Sequence, residues 1–159
     1  MTIEIKVGIG DYKVSQSPNR LITLGLGSCV GIALYNKKTK VGGLAHIMLP
    51  DSTLFTKKMK EEKFADLAIP LMVREINKSY DSSNLIAKIA GGASMFKFGD
   101  NDTDSIGYKN VLAVEQKLRE LGIPILGRDT GGNKGRTMMV DLEDFTVSIR
   151  TVDREIIKL

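Results

Sequence analysis

The 159-residue chain has one cysteine, one histidine, no tryptophan and four prolines, and aromatic residues make up 6% of it. A single cysteine excludes an internal disulfide and fits a reducing compartment. One cysteine and one histidine fall short of the three or four protein ligands usual for zinc, so no metal is expected. Lysine groups are short and scattered (Lys37-Lys38, Lys57-Lys58-Met59-Lys60), and no aromatics interleave with them. The net charge of +4 therefore reads as a solvated lysine-rich surface, and no nucleic-acid partner is expected. No run approaches the roughly 18 apolar residues of a membrane span, and the opening MTIEIKVGIG lacks the basic flank and long apolar core of a signal peptide. The expectation is a cytoplasmic protein that is not membrane-embedded. Repeats and linker-like stretches are also absent, which points to one domain over residues 1–159.

β-Branched runs bounded by turn formers predict strands at Glu4–Ile9, Cys29–Tyr35, Val41–Leu49, Leu85–Ile89, Pro124–Leu126, Thr137–Asp141 and Thr146–Val152. An apolar stripe at helical spacing joins Phe64, Leu67, Ala68, Leu71, Met72 and Ile76, with Pro70 predicting a kink or late start. A second stripe, Val111, Val114, Leu118 and Leu121, stops at Gly122-Ile123-Pro124. Two helices among many strands give an α/β (α+β) fold class, a layered sandwich of a mixed, largely antiparallel sheet with helices packed on it. The polar segments Asp51–Lys63 and Gly99–Ser105 read as the mobile ones.

The lone cysteine and lone histidine lie in two apolar runs on either side of Asn36-Lys37-Lys38-Thr39-Lys40, which reads as a hairpin turn. With Lys37-Lys38 as a two-residue turn, Cys29 falls directly opposite His46, with Cβ atoms about 4.5–5.5 Å apart. A thiol and an imidazole so placed can share a proton. The imidazole takes it, and the resulting imidazolium stabilises a thiolate nucleophile. A third group should orient the ring, and the Thr23 hydroxyl just upstream can accept its second hydrogen bond. Gly25 and Gly27 allow close substrate approach, and N–H groups near Ser28 and Cys29 can form an oxyanion hole. Gly91-Gly92-Ala93-Ser94 and Thr130-Gly131-Gly132-Asn133 do not fit a P-loop and are placed at the rim of a substrate cleft. Met95, Phe96 and Phe98 are candidates for an apolar patch facing a helical partner.

Five segments, Thr23–Val30 (TLGLGSCV), Gly43–Ser52 (GLAHIMLPDS), Lys88–Phe96 (KIAGGASMF), Arg128–Gly132 (RDTGG) and Gly135–Thr137 (GRT), in this order resemble the CheD family of chemoreceptor glutamine deamidases. The resemblance implies an α/β sandwich and a cysteine hydrolase that converts receptor glutamines to glutamates, and in some organisms hydrolyses glutamate methyl esters. It places the catalytic cysteine, histidine and threonine on Cys29, His46 and Thr23, and needs no cofactor. Substrate binding is assigned to Gly27, Ser28, Gly91, Gly92 and Phe96. Implied partners are the cytoplasmic helices of methyl-accepting chemoreceptors and CheC, a phosphatase of the response regulator CheY. The sequence departs from the family pattern at Pro70 and Arg128. The alternative from another class is a non-catalytic adaptor that docks on receptors or on a CheC-type phosphatase.

Overall fold

The computed structural model describes residues 1–54, 60–94, 105–153 and 156–159. In chain order the strands are β1 (Glu4–Lys6), β2 (Tyr12–Gln16), β3 (Arg20–Leu26), β4 (Val30–Asn36) and β5 (Val41–Ile47). Helix α1 (Ala65–Asn77), β6 (Leu85–Gly91), α2 (Ile106–Glu120), β7 (Ile125–Thr130), β8 (Arg136–Asp141), β9 (Thr146–Thr151) and β10 (Ile156–Lys158) follow. Where one sheet was expected there are two, each of five strands, ordered β1-β3-β8-β9-β10 and β2-β5-β4-β6-β7. Each contains one parallel pair, β1 with β3 and β6 with β7, so both are mixed and largely antiparallel. The α+β sandwich class holds.

The second sheet is the middle layer, buried on both faces. Val30, Ile32 and Leu34 of β4 and Ala45 and Ile47 of β5 pack on Ala68, Ile69 and Met72 of α1 and on Val114 and Leu118 of α2. The alternate residues Ala33, Tyr35 and Leu44 face the first sheet and meet Leu21, Leu26, Met138 and Val140. This is why the strand pair around the cysteine and histidine reads as a continuous apolar run instead of an alternating one.

Of three expectations from the sequence, two change in detail and one holds. Helix α1 begins at Ala65 and runs through Pro70, so there is no late start. Helix α2 ends as its sequence indicates: Gly122 sits at φ +69°, and the Ile123 N–H donates to the Leu118 carbonyl, a glycine-terminated cap with an apolar contact across it. The β4–β5 turn has four residues, Lys37–Lys40, because the Asn36 carboxamide oxygen accepts from the N–H groups of Lys38 (2.9 Å) and Thr39 (3.3 Å) and so curls the chain past Thr39. Asn36 therefore pairs with Val41, and His46 pairs with Gly31, not with Cys29. The slip is two residues, which preserves the face of the sheet.

Candidate active site

The β4–β5 ladder ends at the pair Val30–Ile47, and Cys29 is the next residue outward on the β4 side. Its half-buried side chain packs against the apolar layer between the sheets, the layer into which the fully buried His46 projects. Cys29 thus stands in the bend before β4, outside the ladder, and is not the direct opposite of His46. Thr23 arrives from the other sheet, on β3, and its hydroxyl lies 2.7 Å from Nδ1 of His46.

The same hydroxyl donates to the carbonyl of Val7, at 2.8 Å. A hydroxyl has one proton to give. With that proton on Val7, Thr23 can only accept from His46, so Nδ1 carries the ring proton and Nε2 carries the lone pair. Nε2 is buried and makes no hydrogen bond among the described residues. The backbone of His46 is fixed as well: its N–H donates to Asp11 (2.9 Å) and its carbonyl accepts from Gly10 (2.8 Å). Burial holds the ring well below its ordinary value, at about 4, and pushes the Cys29 thiol up, while the cysteine's own backbone N–H draws the thiol down. Both groups are therefore neutral at rest. The thiolate–imidazolium pair expected from sequence is disfavoured by desolvation, because no carboxylate among the described residues bonds to the ring to offset it.

The loop Gly27–Cys29 is held by its carbonyls. Those of Gly27 and Cys29 accept from the N–H groups of Ala93 and Gly92, both at 2.8 Å, and that of Ser28 accepts from the Asn110 carboxamide at 2.9 Å. Gly91 must be glycine, since a Cβ there would lie 2.3 Å from the Cys29 carbonyl oxygen. Gly91 and Gly92 thus brace the cysteine loop from behind. Gly92 also lines a cleft of about 790 Å³ together with Ser94, Tyr108, Thr130, Gly131 and Asn133, so the two glycine-rich loops do border one cavity. Phe96, with Met95 and Phe98, lies outside the described residues, as does most of Gly99–Ser105.

The family model described as CheD chemotactic sensory transduction matches residues 48–151. A probable chemoreceptor glutamine deamidase CheD of Clostridium acetobutylicum is 52% identical over 158 residues, covering 98% of this chain and 95% of that protein. The chain belongs to the CheD family. Proteins of the same printed name from Clostridium kluyveri and Moorella thermoacetica are 56% and 54% identical, over 94% and 95% of this chain and 93% and 92% of their own lengths. None of the described helices is long and apolar enough to cross a membrane.

Two groups at this CheD-family site escape a sequence reading. The Val7 carbonyl, which sets the histidine tautomer, is a backbone atom and has no sequence signal. Asn110 had one: it falls on the buried stripe of α2 with Gly107, Val114 and Leu118, where a carboxamide interrupts an apolar pattern.

Proposed function

We propose that this CheD-family chain is a chemoreceptor glutamine deamidase in which Cys29 is the nucleophile, His46 the general base and acid, and Thr23 the group that orients the ring. The observation that carries the reading is the chain Val7 carbonyl–Thr23 hydroxyl–His46 ring, which leaves the Nε2 lone pair as the one unused polar group of a buried imidazole. A histidine kept only for packing would leave that nitrogen orphaned at a cost of about 1–3 kcal/mol.

The resting pair is neutral, so proton transfer accompanies attack. As the Cys29 sulfur bonds to the glutamine Cδ, Nε2 takes the thiol proton and the carbonyl oxygen becomes an oxyanion held by N–H groups of the cysteine loop. The tetrahedral adduct collapses, its C–N bond breaks, and the imidazolium returns its proton to the leaving ammonia. Water then attacks the thioester and gives a proton to Nε2, and the C–S bond breaks to release glutamate and regenerate the thiol. A glutamate methyl ester would follow the same path with methanol leaving. The substrate calls for receptor cytoplasmic helices and so for a cytoplasmic enzyme, and the CheC-type phosphatase is its proposed partner protein.

The test is mass spectrometry of receptor cytoplasmic fragments after incubation with wild type or Cys29→Ala. Particular glutamines should gain about 1 Da with wild type alone, the mass change of amide to acid. If fragments bind both proteins but no residue changes mass, the chain is the docking adaptor instead.

A further inference from the structure

The β4–β5 ladder opens just where the chemistry begins. Beyond Val30–Ile47 the β5 strand turns away, and the N–H groups of Met48 and Leu49 both go to the Lys63 carbonyl, at 2.9 and 3.0 Å. The gap left between the two strand ends is closed by one side chain. The Asn110 carboxamide, fully buried on α2, donates to the Ser28 carbonyl at 2.9 Å and to the Met48 carbonyl at 3.0 Å. Both acceptors are carbonyl oxygens, so the amide orientation is fixed: a flipped carboxamide would set oxygen against oxygen. Its own oxygen is buried without a hydrogen bond among the described residues. A helix interior gains nothing from asparagine, and an orphaned amide oxygen costs about 1–3 kcal/mol, so packing does not account for the residue.

The consequence lies in the peptide between Ser28 and Cys29. A trans peptide is planar, with C=O and N–H pointing in opposite directions. Whatever grips the Ser28 oxygen therefore aims the Cys29 N–H. The flanking peptides are gripped through the Gly27 and Cys29 carbonyls by backbone N–H groups, and this middle one depends on a side chain. Resting on the deamidase reading above, we propose that Asn110 is a positioning residue: it holds the Ser28–Cys29 peptide so that the Cys29 N–H faces the oxyanion, and it ties that peptide to the strand end that follows His46.

The deciding variant is Asn110→Leu, similar in size and uncharged, with Asn110→Ser, which retains one donor, beside it. Three readouts on the full chain are needed: ammonia release from a receptor cytoplasmic fragment, the pH profile of iodoacetamide alkylation at Cys29, and thermal melting. For Asn110→Leu, kcat should fall about 100-fold with KM unchanged, the loss typical of a misaligned oxyanion donor. The alkylation midpoint should move to higher pH as the thiolate loses its aligned N–H, and Asn110→Ser should fall between the two. A folded Asn110→Leu with wild-type kcat and an unmoved alkylation profile overturns the proposal, whatever its melting temperature, and so does a change confined to KM. Should Asn110→Leu not fold, Asn110→Ser decides by the same two measures. Should wild type release no ammonia, the deamidase reading fails, and the alkylation profile still decides the role of Asn110.

Discussion

At the scale of single residues the site turns on proton inventory. Thr23 spends its only proton on Val7, and from that the tautomer of His46 follows. Thr23→Val keeps the shape and removes the acceptor, leaving the Nδ1 proton and the Val7 carbonyl both unpaired. Stability should fall by about 1–3 kcal/mol in urea unfolding, and kcat should fall more than KM changes, because the ring loses its orientation while the substrate contacts remain. The depressed histidine gives a second expectation. Its folded value of about 4 lies below the ordinary 6.5, so the unfolded chain binds the proton more tightly. The associated stability is complete above pH 6.5 and is lost as pH falls from there toward 4, in all roughly 3 kcal/mol. Urea titrations between pH 7 and 4 should show that loss in wild type and not in His46→Asn. An equal loss in both proteins would assign it to carboxylates instead.

At the scale of elements, the hairpin shows what a sequence can and cannot specify. The antiparallel pairing of the two apolar runs was legible, and the true register differs from the expected one by two, so each paired residue keeps its expected face. The register itself was not, because it depends on the Asn36 side chain seizing two N–H groups, a tertiary choice among several turn lengths. Strand β3 was missed for a related reason. Its Gly25, and Gly27 just past its end, resemble a loop, and the strand does carry an irregularity between Thr23 and Leu26 where it pairs with β8. Without β3 the first sheet cannot be recognised, so Thr23 was expected beside the hairpin instead of across the sandwich from it. Helix α2 is where an element-scale change should reach the chemistry. A Cβ on Gly107 would lie 2.4 Å from the Ala93 carbonyl oxygen and 2.7 Å from the Gly92 carbonyl carbon, so Gly107→Ala must push the helix outward. Because Asn110 rides on that helix, the variant should lose about 1–3 kcal/mol and also slow alkylation of Cys29. Lost stability with unaltered alkylation would mean that the cysteine loop does not depend on the helix position.

At the scale of the whole molecule, two sheets that meet through an apolar layer are also joined by two cations, buried Arg136 and partly buried Lys88, whose contacts lie at opposite ends of the β8–β9 hairpin. Near one end Lys88, on β6, donates to the carbonyls of Phe145 (2.8 Å) and Leu159 (2.6 Å), and burial pushes its ammonium below the ordinary lysine value. At the other end Arg136, on β8, reaches Asp129 of β7 at 3.0 Å, the Gly131 carbonyl at 2.9 Å and the Gly91 carbonyl at 3.4 Å. The two links differ in what they hold. Gly91 directly precedes Gly92, whose N–H grips the Cys29 carbonyl, so Arg136 is two peptides removed from the nucleophile, whereas Lys88, three residues earlier on β6, holds the carbonyls of Phe145 and Leu159. Arg136→Met leaves the Asp129 carboxylate and the Gly131 carbonyl without their partner, while the Gly91 carbonyl keeps the Gly131 N–H, and should cost about 1–3 kcal/mol. Arg136→Lys should not restore it, because a single ammonium cannot reproduce a guanidinium fork gripping three oxygens. Lys88→Met should also lower the melting temperature. If the sandwich transmits loop geometry locally, Cys29 alkylation will slow in the Arg136 variant and stay at the wild-type rate in the Lys88 variant. Equal slowing in both would show instead that the cysteine loop senses only global stability, because the Lys88 link touches neither Gly91 nor the loop it braces.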